Sequence, residues 1–256
     1  MSRINGIAIE DYKDLTVRET GLAVPRDPTY KYAVSNGIRP DDFIVDANLV
    51  LYMPLFALKG GKFKSVDAYG HTCTATTPTW GTQGRTFNGT TDTLPVTHHA
   101  SQLLTTGGTI EAWIKPDSLG GGSLGRIVDK TYATGYIFMV YTGNRLRLGL
   151  VNGAGLPFIY SAVDSVIVGD GNWYHAVATW DNTGYTTIYV NGSKSGTQGV
   201  SADPSGINNT DDLTIGNVSG GTNRGFDGII GEVKVYNRAL SVVEVAHNYN
   251  ATKWRY

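Results

Sequence analysis

From Ala47 onward, apolar residues come in short runs separated by Gly, Asn and Asp, and residues 49–53, 109–114, 136–141 and 145–150 each read as a β-strand. Residues 173–180, 186–190, 213–216 and 230–236 do the same. So many short strands with no helix between them predict a two-sheet sandwich or a barrel. Two local signals add detail. Asn191-Gly192 accepts the positive φ angles of a two-residue hairpin turn, so the strand before it turns back there. Ser241-Val242-Val243-Glu244 has capping-box spacing, in which the serine oxygen and the glutamate carboxylate each satisfy a free backbone N–H. One short C-terminal helix is expected.

Residues 1–46 have a different texture. Pro25, Pro28 and Pro40 interrupt any regular element, yet Ile4, Ile7, Ile9, Leu15, Val17, Tyr30 and Tyr32 are too apolar for a purely solvated tail. This segment reads as an arm that docks on a scaffold, a capsid or tail protein, or other copies of the chain, giving a homo-oligomer. Residues 47–256 read as the folded domain.

Composition sharpens this picture. With 33 Gly, 15 Tyr and 5 Trp but only 17% charged residues, strands and tight turns are favoured over helices. The net charge of -1 and the lack of any Lys/Arg run give no field to attract nucleic acid. Cys73 stands alone, so an internal disulfide is excluded. The start has no apolar stretch of signal-peptide type, and no run is long enough to span a bilayer. The expectation is cytoplasmic synthesis without a signal peptide and without membrane insertion.

Catalytic spellings are weak. Gly121-Gly122-Ser123-Leu124-Gly125 spells a nucleophile elbow but lies in a loop without the α/β sheet that motif needs. His98-His99 would point apart on a strand, and His71 with Cys73 supplies only two of the four ligands of a structural zinc. Glu111 and Trp113 share one strand face, opposite Ile110, Ala112 and Ile114. That face is either a sugar platform with an acceptor beside it or a half-buried tryptophan under a loop. Tyr132, Asn223, Arg224 and Phe226 fall on predicted loops and join Glu111 and Trp113 as ligand-binding candidates, because aromatic faces beside Asn and Arg suit sugar rings and hydroxyls.

Four blocks of the chain, taken in order, resemble laminin-G-like, concanavalin-A-like lectin and glucanase jelly-roll domains. They are residues 85–92 (Arg-Thr-Phe-Asn-Gly-Thr-Thr-Asp), 108–116 (Gly-Thr-Ile-Glu-Ala-Trp-Ile-Lys-Pro), 171–178 (Gly-Asn-Trp-Tyr-His-Ala-Val-Ala), and Tyr189-Val190-Asn191-Gly192 followed by residues 226–241. The resemblance covers about residues 47–253 and implies an all-β, two-sheet antiparallel jelly-roll sandwich whose loops and concave face bind sugars or proteins. It also implies calcium near Asn88, Asp92 and Glu232, although Thr93 and Gly231 stand where the family often has aspartate. Hydrolases of this fold carry closely spaced carboxylates on one strand, whereas Glu111 and Glu232 each stand alone. The reading is therefore a non-catalytic carbohydrate-binding or adhesive module, recognising a glycan or cell-surface receptor and displayed on a virion, such as a phage, or a similar external surface. A decoration or capsid-associated protein without a glycan ligand is the alternative, and a divergent polysaccharide-cleaving enzyme the third.

Overall fold

The computed structural model describes residues 3–4, 7–8, 42–75, 77–131, 134–152, 158–200, 203–220 and 223–256. Strand β1 (Arg3–Ile4) pairs with β2 (Ile7–Ala8). Next come β3 (Leu49–Pro54), β4 (Lys62–Lys64), β5 (Thr72–Thr74), β6 (Thr79–Gly81), β7 (Gly84–Asn88) and β8 (Leu94–Val96). The long central strands are β9 (Gly107–Pro116), β10 (Arg126–Thr131), β11 (Thr134–Tyr141) and β12 (Arg145–Asn152), followed by the short β13 (Phe158–Tyr160). Then follow β14 (Tyr174–Asp181), β15 (Tyr185–Val190), β16 (Ser193–Val200), β17 (Leu213–Ile215), β18 (Asp227–Tyr236) and helix α1 (Val242–Thr252).

Apart from the β1–β2 pair, these strands form two antiparallel sheets, as expected. The first runs β13-β12-β11-β10-β17-β8-β5-β4, and the second β16-β15-β14-β9-β18-β7-β6. β3 and β7 share one edge of β18, β3 pairing with its last residues and β7 with its first. All eight stretches read from the sequence lie within or overlap these strands. The returning strand that the Asn191-Gly192 turn implies is β16, although Ser-Lys-Ser-Gly-Thr-Gln-Gly-Val has no apolar alternation of its own and is held by its pairing to β15.

Period-two alternation builds the core. Tyr136, Phe138 and Val140 of β11 and Leu146, Leu148 and Leu150 of β12 point inward, toward Ile110, Ala112 and Ile114 of β9 and Ala176, Ala178 and Trp180 of β14. Burying each large apolar side chain stabilises the fold by roughly 1.5–3 kcal/mol relative to leaving it exposed. Trp180 fits because residue 108 is glycine; a Cβ there would lie 2.3 Å from its ring. The β15–β16 hairpin turns at Asn191 (φ 51°) and Gly192 (φ 75°), between the paired Val190 and Ser193.

A third layer covers the outer face of the second sheet. Helix α1 starts at the expected capping box, where Ser241 Oγ accepts from the Glu244 N–H (3.3 Å) and Glu244 accepts from the Ser241 N–H (2.7 Å). Its Val245 and Ala251 pack with Leu49, Tyr52, Val177, Tyr189, Tyr236, Leu240 and also Phe43. The Ile44 N–H donates to Asn248 at 2.8 Å. Phe43 and Ile44, ahead of residue 47, thus pack against the folded domain, Phe43 in an apolar site under the helix.

Candidate functional site

The outer face of the first sheet carries a cluster of arginines and aromatic rings over a small apolar patch. The residues of β11 and β12 that do not enter the core point away from it: Ile137, Met139 and Tyr141 on one strand, Arg145, Arg147, Gly149 and Val151 on the other. On β13, Ile159 faces the core while Phe158 and Tyr160 share the outer face, opposite Gly149 and Arg147. The half-buried Arg147 is enclosed by rings: its guanidinium lies 3.3 Å from the Phe158 ring centre, 4.4 Å from Tyr141 and 5.7 Å from Tyr160. Gly149 makes this possible. A Cβ on it would stand 2.5 Å from Phe158, so only glycine lets that ring lie down across the strand.

Further arginines surround this stack. Buried Arg126 holds Asp129 (Nε to Oδ2, 3.0 Å) and reaches the Met139 sulfur at 3.1 Å. Its backbone N–H donates to the carbonyl of Arg224, an exposed residue. Arg145 lies over Tyr160, 5.1 Å from its centre. Burial, partly offset by Asp129, pushes the Arg126 guanidinium down to about 10, and Arg224 and Arg147 add to that push. Arg147 is likewise lowered, first by burial and then by Arg224, against the opposing pull of the Tyr160 and Tyr141 hydroxyls. Beside this face, where edge strands β13 and β16 meet, runs an open groove of about 530 Å3 lined by Arg145, Phe158, Tyr160, Ser161, Thr197 and Gln198.

A second polar cluster is sealed under α1. Lys234 Nζ contacts Glu111 at 3.0 Å and Glu232 at 2.5 Å, while Arg255 reaches Glu232 at 3.3 Å. His175 Nε2 lies 3.2 Å from Glu111, and Asn248 donates to the same carboxylate at 2.7 Å. Burial alone would raise the Glu111 pKa. The Lys234 charge and the His175 and Asn248 hydrogen bonds override it and bring that carboxyl down to about 2.

The jelly-roll order of these sheets agrees with a family match. A laminin-G-type model of the concanavalin A-like lectin/glucanases superfamily matches residues 88–246, more than half of the chain. The chain belongs to that superfamily. Among curated protein sequences none matches it. Solved structures similar to this superfamily member include the binding domain of Paraclostridial Mosquitocidal Protein 1, at 19% identity and TM-score 0.61, over 80% of this chain and 52% of that one. The botulinum neurotoxin serotype D ligand binding domain in complex with N-acetylneuraminic acid matches at 13% identity and TM-score 0.57, over 79% and 50%. The botulinum neurotoxin DC binding domain in complex with rat synaptotagmin II matches at 14% and TM-score 0.56, over 80% and 51%. The chain spans about half the length of these structures, and at such identities the likeness shows the fold.

In this superfamily member the sequence candidates part company. Glu111 and Trp113 do share a face, but it is the one α1 covers, leaving them 1% and 3% exposed. Trp113 stacks on Tyr256 and Tyr249 there, with ring centres 4.7 and 5.8 Å away, so it offers no sugar platform. Phe226 is also buried, edge-on to Phe87. Asn223 and Arg224 are exposed, and Arg224 joins the arginine group of the first sheet. Tyr132 lies outside the described residues, as do Ile9, Tyr30 and Tyr32 of the arm.

The calcium set is divided. Asp92 accepts from the Asn88 N–H at 3.0 Å, and Asn88 pairs with Asp227 across the sheet. Glu232 is five residues further along β18, roughly 17 Å at strand rise, and is engaged by Lys234, Arg255 and Tyr52. One ion with ligands at about 2.3–2.6 Å cannot bridge that separation. Reasoning from sequence missed Arg126, Tyr141, Arg147, Phe158 and Tyr160. The signal was present in residues 145–148, where Arg, Leu, Arg and Leu alternate and place two cations on the face that Tyr141 shares.

Proposed function

We propose that this chain is a non-catalytic recognition module that binds a glycan or a glycan-bearing receptor on the outer face of its first sheet. The observation that carries the reading is Arg147 enclosed by Tyr141, Phe158 and Tyr160, a half-exposed group offering hydrogen-bond donors beside ring surfaces. Superfamily membership supports it, and so do neighbours that are themselves binding domains, one in complex with a sugar and one with synaptotagmin II. Catalysis by paired carboxylates finds little support, since Glu111 and Glu232 are both buried and both hold Lys234.

Display on a larger assembly through residues 1–46, on a virion or comparable surface, is the second part of the proposal. Arg238 joins Asp46 (2.8 Å) to Glu244 (2.7 Å) and so brings the chain before β3 alongside the start of α1. Val45, Val242 and Val243 stay 70%, 55% and 73% exposed there, which supports a contact surface at the root of the arm.

The test is a glycan array probed with the labelled full chain and with its Arg147→Ala variant, both checked for a cooperative melt. Saturable binding that the variant loses supports the reading. A folded chain that binds no glycan on the array refutes it.

A further inference from the structure

Among the described arginines that are buried or half-buried, one stands apart. Arg126 is paired with Asp129, Arg238 with Asp46 and Glu244, and Arg255 with Glu232. Arg85 donates through its two terminal nitrogens to the carbonyls of Leu58, Gly60 and Pro78. Half-buried Arg147 has neither kind of partner: among the described residues no carboxylate or carbonyl holds its guanidinium, and its Nε, like those of Arg85 and Arg126, is buried without a hydrogen-bond acceptor. Three rings fix its position, and rings do not neutralise it. Arg126, Arg145 and Arg224 surround it, and Asp129 is the carboxylate paired within this group. The face therefore carries surplus positive charge, and a planar guanidinium fork matches a carboxylate best.

Resting on the glycan-binding reading above, we propose that the ligand of this face is an acidic sugar, a pyranose bearing a carboxylate. The carboxylate engages Arg147, with Arg224 at the rim, and the ring lies against Tyr160 and Tyr141. These two rings are 5.6 Å apart and inclined by 44°, a bent aromatic wall rather than a closed stack. A neutral sugar's hydroxyls would accept from Arg147 without balancing its charge, whereas a bare inorganic anion would leave the aromatic wall unused.

The proposal is tested by titrating the full chain with a sialyl-lactose, a glucuronate disaccharide and lactose at fixed low ionic strength, followed by calorimetry or ligand-observed NMR. At least one acidic saccharide is expected to bind about tenfold more tightly than lactose, since charge-assisted hydrogen bonds exceed neutral ones by that margin. Which of the two does so identifies the source of the carboxylate. Binding should weaken as salt rises, and Arg147→Lys, which keeps the charge and loses the fork, should abolish the preference without changing the melt. If lactose binds as well as both acids, the acidic-sugar inference falls while the glycan-binding reading stands. If no saccharide binds the folded chain, that reading falls too. Displacement of the acidic saccharide by equimolar sulfate, or undiminished binding by Arg147→Lys, also overturns the inference.

Discussion

The indole N–H of Trp113 donates to the Thr252 hydroxyl at 2.8 Å, and that hydroxyl donates onward to the Asn248 carbonyl at 2.7 Å. A central strand of the second sheet is thereby fastened to the last turn of the helix that covers it. Thr252→Val keeps the shape and leaves a buried indole donor unmatched, which costs about 1–3 kcal/mol. In urea unfolding the midpoint should fall while the slope is unchanged, because the same surface is exposed.

Lys234 stands between two buried carboxylates, and its removal should be more damaging. Lys234→Met leaves Glu111 and Glu232 without the cation they share, a loss of about 3–5 kcal/mol for a broken buried pair. The variant should also unfold at a higher pH than the parent on acidification, since Glu111 without the Lys234 charge must protonate sooner. An unchanged acid midpoint would show that Lys234 does not set the Glu111 ionisation.

Acid stability of the parent follows from the same cluster. The Glu111 carboxyl is lowered from 4.5 to about 2, so its contribution is fully present above pH 4.5 and is lost as pH falls toward 2. Its size is on the order of 3 kcal/mol. The Lys234 pKa is raised above 10.5, so the lysine side of the pair persists through neutral pH and fades only in alkali. A series of thermal melts from pH 6 to pH 2.5 should show a plateau and then a fall beginning near pH 4.5.

Much of this was legible in the sequence, and the part that was not has physical causes. The long strands announce themselves through apolar alternation, and the helix start through Ser241 and Glu244. Short strands such as Lys62–Lys64 and Thr72–Thr74 carry too few residues to show a period and exist because neighbours pair with them. Trp113 was placed on the right face of its strand, but which face is open depends on where a helix some 130 residues later comes to rest. The aromatic setting of Arg147 depends on Phe158 and Tyr160, on a three-residue strand whose partner is set by the sheet order. Arg224 was reached for its type and its loop; its arginine neighbours come from strand β10 and strand β12.

Calcium provides a direct check on the separation of Asp92 from Glu232. Glu232→Gln should lower the melting temperature by the same amount in chelator and in millimolar calcium, since that carboxylate is engaged by Lys234 and Arg255. Asp92→Asn perturbs only the Asn88 turn. A calcium-dependent rise in melting temperature abolished by both substitutions would mean that the two residues share an ion, contrary to their placement.

Gly149 separates the stability of the fold from the competence of its face. It lies in β12 opposite Phe158, and a Cβ would stand 2.5 Å from Cε1 and 2.7 Å from Cδ1 of that ring. Gly149→Ala therefore forces the ring to swing away from the Arg147 guanidinium, which it now holds at 3.3 Å. Replacing glycine by alanine inside a strand otherwise favours the folded state by about 0.5–1 kcal/mol, which offsets part of the lost packing. The melting temperature should thus move little, whereas affinity for an acidic saccharide should drop to that of Arg147→Lys, because the donors are no longer held in place. Titration and thermal melting of the same preparation measure both quantities. Full affinity in a variant with a displaced Phe158 would show that the ring does not position Arg147, leaving Tyr141 and Tyr160 to do so.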